Sequence, residues 1–192
     1  MSVPFKLGLV LMVGCVSGCG FYTVSSVHPL YTDDLLTTEA ALVGTWIQRD
    51  QVFGDEGDST WTFTESAGKA YELIIQSNQE RFVFSVHLVR LGEHLYMDLF
   101  PKDVAIAPRG HSFDVLFAHH FVRLNVAGDV MQMPMLDLVA FRAAVEKAKL
   151  PHTLVENQAR LLLTASSKEL QEFLLKRGNA VFRESRVYYR RK

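Results

Sequence analysis

The chain has 192 residues, 48% of them hydrophobic, with 20 Lys and Arg against 21 Asp and Glu and a formal net charge of −1. Balanced charge excludes the basic excess of a nucleic-acid-binding protein, and two cysteines are too few for a disulfide-stapled scaffold. The length allows one domain with a full apolar core, so stability rests on packing.

Reading from the N-terminus, Lys6 supplies a positive charge ahead of an apolar run from Leu7 to Val16, interrupted only by Gly8, Gly14 and Cys15. The run is too short to span a bilayer, which takes roughly 20 apolar residues, and it has the build of a signal-peptide core. Val16-Ser17-Gly18-Cys19 follows, and it resembles the lipobox of bacterial lipoproteins. Cys15 is a second candidate, but Met12 fits the third position before the cut poorly, where Val16 fits it well. The resemblance implies cleavage between Gly18 and Cys19, acyl chains such as palmitate on Cys19, and attachment to a membrane through them. Gly20 stands where an aspartate would favour inner-membrane retention, so the resemblance leans to the outer membrane, with the domain facing the periplasm or the surface. Residues 1–18 are then a signal peptide, 19–40 a lipidated tether and 41–192 a single β-rich domain. Cleavage leaves 174 of the 192 residues, removes Lys6 and so takes the formal charge from −1 to −2. It also leaves Cys19 as the mature chain's one cysteine, so no internal disulfide can form.

From Phe21 to Ala40 the sequence is turn-prone, with Ser25-Ser26, His28-Pro29 and Asp33-Asp34 and no sustained periodicity, and it reads as a spacer lifting the domain off the membrane. Leu42-Val43-Gly44-Thr45-Trp46 opens the folded part. Its Gly-x-Trp resembles the start of the lipocalin (calycin-type) barrel, which implies that Gly44 permits a bend and that the Trp46 indole plugs one barrel end.

Strand-like runs follow, bounded by turn residues: Trp61–Glu65, Tyr71–Gln76, Arg81–Leu91, Leu95–Phe100, Ser112–Val126 and Val130–Met135. Arg81–Leu91 is apolar on both faces, with Phe82, Phe84, Val86 and Leu88 on one and Val83, Val89 and Leu91 on the other, so both must be covered. Two helices interrupt the tail. Asp137 caps Leu138–Lys149, which Pro151 stops, and Ser166 with Glu169 forms a capping box for Lys168–Arg177, with Gly178 at the stop. Arg160–Thr164 reads as a strand between them. The fold expected is mainly β (α+β): an antiparallel meander forming a lipocalin-like barrel or strongly curled sheet, with a sandwich as the rival, and two C-terminal helices packed on it or across a barrel mouth. Arg183–Lys192, with five basic residues, reads as a solvated tail or a patch for anionic headgroups.

Candidate chemistry is sparse. Met131, Met133 and Met135 alternate, so on a strand their thioethers share one face about 6 to 7 Å apart. They are read as core, as the flexible wall of a ligand cavity, or as a Cu(I) site. His119 and His120 face opposite ways on a strand and cannot both ligate one metal. Ser66-Ala67-Gly68-Lys69 has the serine-to-lysine spacing of penicillin-binding enzymes without their companion motifs, and reads as a hairpin loop. The acidic cluster Asp55–Asp58 lacks the spacing of a calcium loop and reads as a solvated turn.

No catalytic constellation, cofactor fingerprint or metal shell assembles from the sequence, so the expectation is a non-enzymatic, lipid-anchored envelope protein. It binds a small apolar ligand or lipid moiety with Phe82, Phe84, Met131, Met133 and Met135 as lining, and no nucleic acid. The alternatives are a structural or protein-interaction module recruiting an envelope partner and, third, a periplasmic copper-binding protein.

Overall fold

The computed structural model describes residues 24–48, 59–77, 80–104, 117–155, 160–184 and 188–192. The stretch expected to be a signal peptide, with Gly18 and Cys19 at its expected cleavage site, and the Asp55–Asp58 cluster therefore lie outside the described residues.

Eight strands close an antiparallel barrel. They are β3 (Gly44–Gln48), β4 (Thr60–Ser66), β5 (Ala70–Ser77), β6 (Glu80–Leu91), β7 (His94–Val104), β8 (His120–Ala127), β9 (Val130–Gln132) and β14 (Tyr188–Arg191). Each pairs with its neighbour, β6 meets β7, and β14 fits between β9 and β3. The hairpin at Ser66 turns through Gly68 and Lys69, both at positive φ, as a loop with no helix start for the serine. The register of β6 on β7 shifts between Val83 and Phe84, and Pro101 stands beside that bulge, where its missing N–H does least harm to the ladder.

Alternation along the strands separates two cores. Trp46, Trp61, Phe63, Tyr71, Leu73, Phe84, Val86, Leu88, Met97, Leu124, Met131 and Tyr189 point inward and are buried together. Outward-facing Val89, Leu91, Tyr96 and Phe121 form a second core with α1 (Leu138–Ala148), α2 (Ser167–Val181) and a small sheet. That sheet has β1 (Val24–Ser26) parallel to β12 (Arg160–Leu163), and β12 antiparallel to β11 (His152–Val155). The two apolar faces of β6 are thus covered, one by the barrel interior and one by the second core. Burial of each large side chain stabilises by about 1.5 to 3 kcal/mol.

Both helix starts follow their local chemistry. The Asp137 side chain accepts from Ala140 N, and the Ser166–Glu169 capping box is complete. Lys149 ends α1 in the left-handed region (φ 52°), two residues ahead of Pro151.

Three expectations are corrected. The stretch read as spacer belongs, from Val24 onward, to the folded body: β1 lies in a sheet, Leu30 is fully buried, and β2 (Leu36–Thr37) pairs with β6. The last part of the basic terminus, Tyr188–Arg191, is the closing strand of the barrel, with Tyr189 buried and Arg190 and Arg191 paired to Ile47 and Trp46. Gly178 does not stop its helix, which runs on to Val181; a Cβ there would lie 2.7 Å from Tyr96 Oη, so the glycine lets helix and barrel wall approach.

Candidate functional site

The barrel's two ends differ. At the end where β3 starts and β14 stops, the Trp46 ring is buried and its Nε1 donates to the Leu42 carbonyl at 2.8 Å. The Arg191 guanidinium lies over that ring, 4.6 Å from its centroid, and donates to the Val43 carbonyl at 2.7 Å and to the Ala41 carbonyl. Gly44 makes this possible. Its φ of +129° suits no other residue, and a Cβ would meet Arg191 Nη1 at 2.8 Å. Tyr71 Oη accepts from Glu39 N at 2.8 Å, tying the incoming chain to the same end, and burial pushes the phenol pKa up. This end is closed by side chains that satisfy one another.

At the other end β3, β5 and β7 stop and β4, β6 and β8 start. The interior remains apolar towards it: Ile75 and Phe82 face each other across β5 and β6, partly exposed, and pack on the inner core beside Phe84. Trp61 and Tyr189 lie deeper, ring centroids 5.0 Å apart. Phe82, Phe84, Met131 and Met133 thus share the barrel interior. Met135 does not join them. The chain leaves the barrel at Pro134, β10 (Met135–Leu136) pairs instead with β13 (Phe182–Arg183), and the Met135 side chain is 39% exposed. Three thioethers on one face, the geometry a Cu(I) site needs, is not formed.

The sequence reading missed a polar cluster on the outer wall. Asp98 alternates with inward-facing Met97 and Leu99, so its carboxylate faces outward, fully buried. It accepts from Leu30 N at 2.6 Å and from His119 Nδ1 at 2.7 Å. Tyr31 stacks on His87, centroids 4.1 Å apart, and the Phe100 ring lies 4.7 Å from His119. Desolvation, and then the nearby His119, lower the His87 pKa against the opposing pull of Asp98. Gln171 Nε2 donates to the Leu30 carbonyl at 2.9 Å, so both polar groups of Leu30 are held. The signal for this cluster was an aspartate inside the apolar run Leu95–Phe100, but nothing local named its partners. His119 turns outward to Asp98, and His120 lies 3.4 Å (Nδ1) from Ser25 Oγ, so the two rings do serve opposite faces.

A second missed group surrounds Gly178. Arg123 donates from Nη2 to His94 Nδ1 at 2.5 Å and from Nη1 to Asn179 Oδ1 at 3.1 Å. Tyr96 Oη and Arg123 Nε are buried with no hydrogen-bond partner among the described residues.

Among the described residues no three His, Cys, Asp or Glu side chains gather as metal ligands, and no helix is long and apolar enough to cross a membrane. Comparison with protein-family models, curated proteins and solved structures matched none of them.

Proposed function

We propose that this chain is a lipid-anchored, non-catalytic protein of the bacterial outer membrane, tethered through Cys19, that binds a small apolar ligand or lipid moiety at the barrel end opposite Trp46. The observation that carries the ligand reading is the inequality of the two ends. Trp46 and Arg191 close one, while Ile75 and Phe82 continue the apolar lining towards the other. Large aromatic side chains fill the interior below, so the guest is assigned to the end where Ile75 and Phe82 lie. Met133 is suited to adjust around it, because an unbranched thioether repacks easily.

The test is a titration of the mature protein with cis-parinaric acid, an apolar fluorescent fatty acid, read as energy transfer from tryptophan. Saturable transfer that Phe82→Asp abolishes supports the reading; no transfer in the parent protein overturns it. The anchor is tested separately by metabolic labelling with palmitate, which must mark the parent and not Cys19→Ser.

One observation favours a second reading, a protein-interaction module of the envelope. Strand β11 is an edge of its sheet with Thr153 and Leu154 exposed, a template for an added strand from a partner. The basic terminus offers no such route, since it is a barrel strand. Loss of a crosslinked envelope partner on Thr153→Pro would favour this reading over the first.

A further inference from the structure

The seam between α2 and the barrel wall holds a cation that meets no counter-charge among the described residues. Tyr96 on β7 and Arg123 on β8 are register partners, so their side chains stand together on the outer face, about 4.5 to 5.5 Å apart at Cβ. His94, two residues before Tyr96, shares that face, and Gly178 and Asn179 of α2 lie against it. The Arg123 guanidinium donates to a ring nitrogen, His94 Nδ1, and to an amide oxygen, Asn179 Oδ1. Among the described residues it forms no ion pair with a carboxylate.

Two donors of this seam are left over. Tyr96 is fully buried, its ring edge-on to Phe182 with centroids 5.8 Å apart, and its Oη has no partner among the described residues. The same holds for Arg123 Nε, so the two groups do not bond each other. Burial pushes the phenol pKa up, against the pull of Arg123, so the hydroxyl keeps its proton at neutral pH and remains a donor. A buried donor without an acceptor costs its full desolvation, and a desolvated charge costs more unless it is paired.

The acceptors of the cluster are already occupied. Asn179 Oδ1 accepts from Arg123 Nη1 at 3.1 Å and from His94 Nε2 at 2.6 Å, which uses both of its lone pairs, and His94 Nδ1 accepts from Arg123 Nη2. A water accepting from Tyr96 and Arg123 would find no side-chain acceptor in the cluster for its own two hydrogens. An anion needs donors alone, and it cancels the guanidinium charge. Sulfate or phosphate spreads its charge over four oxygens, more than two donors can serve, whereas a halide is a single atom.

We propose that Arg123 Nε and the Tyr96 hydroxyl bind one chloride ion, which fastens α2 to the barrel wall. Gly178 belongs to this site, because a Cβ there would stand 2.7 Å from Tyr96 Oη and cover the donor.

The test uses the full chain, with bromide as the crystallographic probe because it has the charge of chloride and an anomalous X-ray signal. Crystals grown in sodium bromide are expected to show an anomalous peak in contact with Tyr96 Oη and Arg123 Nε. In solution, the thermal midpoint should rise by a few degrees in sodium chloride over sodium methanesulfonate at equal ionic strength. Tyr96→Phe and Arg123→Gln should lose that rise. Lys102→Gln, which removes an exposed cation paired with Glu72 elsewhere on the wall, should keep it. Tyr96→Phe keeps the ring against Phe182, so it reads the ion even where Arg123→Gln fails to fold. A water at the two donors, bromide at other surface positions only, or a chloride response equal in the parent and Tyr96→Phe overturns the proposal.

Discussion

The guanidinium of Arg191, one residue from the end of the chain, lies flat over the indole of Trp46, 145 positions earlier, and donates on to the carbonyls of Val43 and Ala41. The same Arg191 Nε lies 3.5 Å from Asp129 in the β8–β9 turn, so one side chain ties three segments at the closed end. Its planar fork does what a lysine cannot: it stacks and donates to two carbonyls at once.

Arg191→Ala is therefore expected to destabilise by about 2 to 3 kcal/mol, the sum of a partly desolvated cation–π contact and charge-assisted hydrogen bonds, and Arg191→Lys to recover little of it. The midpoint of urea unfolding measures this. Deleting residues 188–192 removes the strand between β9 and β3 and is expected to abolish cooperative unfolding. A normal transition in that deletion would show that the barrel does not need β14.

Gly178 and Tyr96 form a pair whose substitution effects reverse expectation. Glycine to alanine inside a helix ordinarily gains about 1 kcal/mol. Here the new methyl would stand 2.7 Å from Tyr96 Oη, and Gly178→Ala is expected to lose about 1 to 3 kcal/mol instead. Tyr96→Phe removes a buried hydroxyl that has no partner among the described residues, so alone it should cost less than about 1 kcal/mol. The double variant should be more stable than Gly178→Ala, a coupling that a double-mutant cycle reads directly.

Asp98 holds down the segment that leads to the barrel wall. Asp98→Ala leaves the Leu30 N–H and the His119 Nδ1–H without their acceptor, at a cost of about 3 to 5 kcal/mol. Hydrogen exchange should show the loss of protection concentrated at residues 24–32, and uniform loss over the barrel would count against this role. Asp98→Asn should recover part of the loss, because its carbonyl oxygen can accept from one of the two donors.

The His87 pKa is lowered in the folded protein, first by desolvation under Tyr31 and then by His119, with Asp98 opposing. A depressed native value means that the unfolded chain binds the proton more readily. The stabilisation from neutral His87 is complete above the unfolded value of about 6.5 and is lost as pH falls through it towards the folded value. Urea midpoints should fall between about pH 7 and pH 5, and His87→Phe, which keeps a ring against Tyr31, should flatten that slope. The carboxylates whose pKa values are lowered, Glu72 by Lys102, Asp137 by its cap bond to Ala140 and Glu169 by Ser166, act in a more acidic window.

Local chemistry made much of the fold legible in the sequence. Alternation marks β4 to β8 because a strand presents successive side chains to opposite faces, and the two apolar faces of β6 announce that both are covered. Asp137 and the Ser166–Glu169 box mark the helix starts because a cap acts within three residues. Phe82, Phe84 and Met131 could be placed on an inner face by the same period. Longer-range outcomes were decided only in three dimensions. Tyr188–Arg191 carries the composition of a solvated tail and becomes the closing strand because two barrel edges, β9 and β3, lack partners without it. Met135 departs from its alternating companions because Pro134 takes the chain to a different strand. Gly178 looks like a helix end until Tyr96 arrives from a distant strand, and the turn-prone residues from Val24 onward pack because Asp98 and Gln171 satisfy the backbone of Leu30. In each case the deciding interaction joins residues about 45 to 145 positions apart, and no window of neighbouring residues contains both partners.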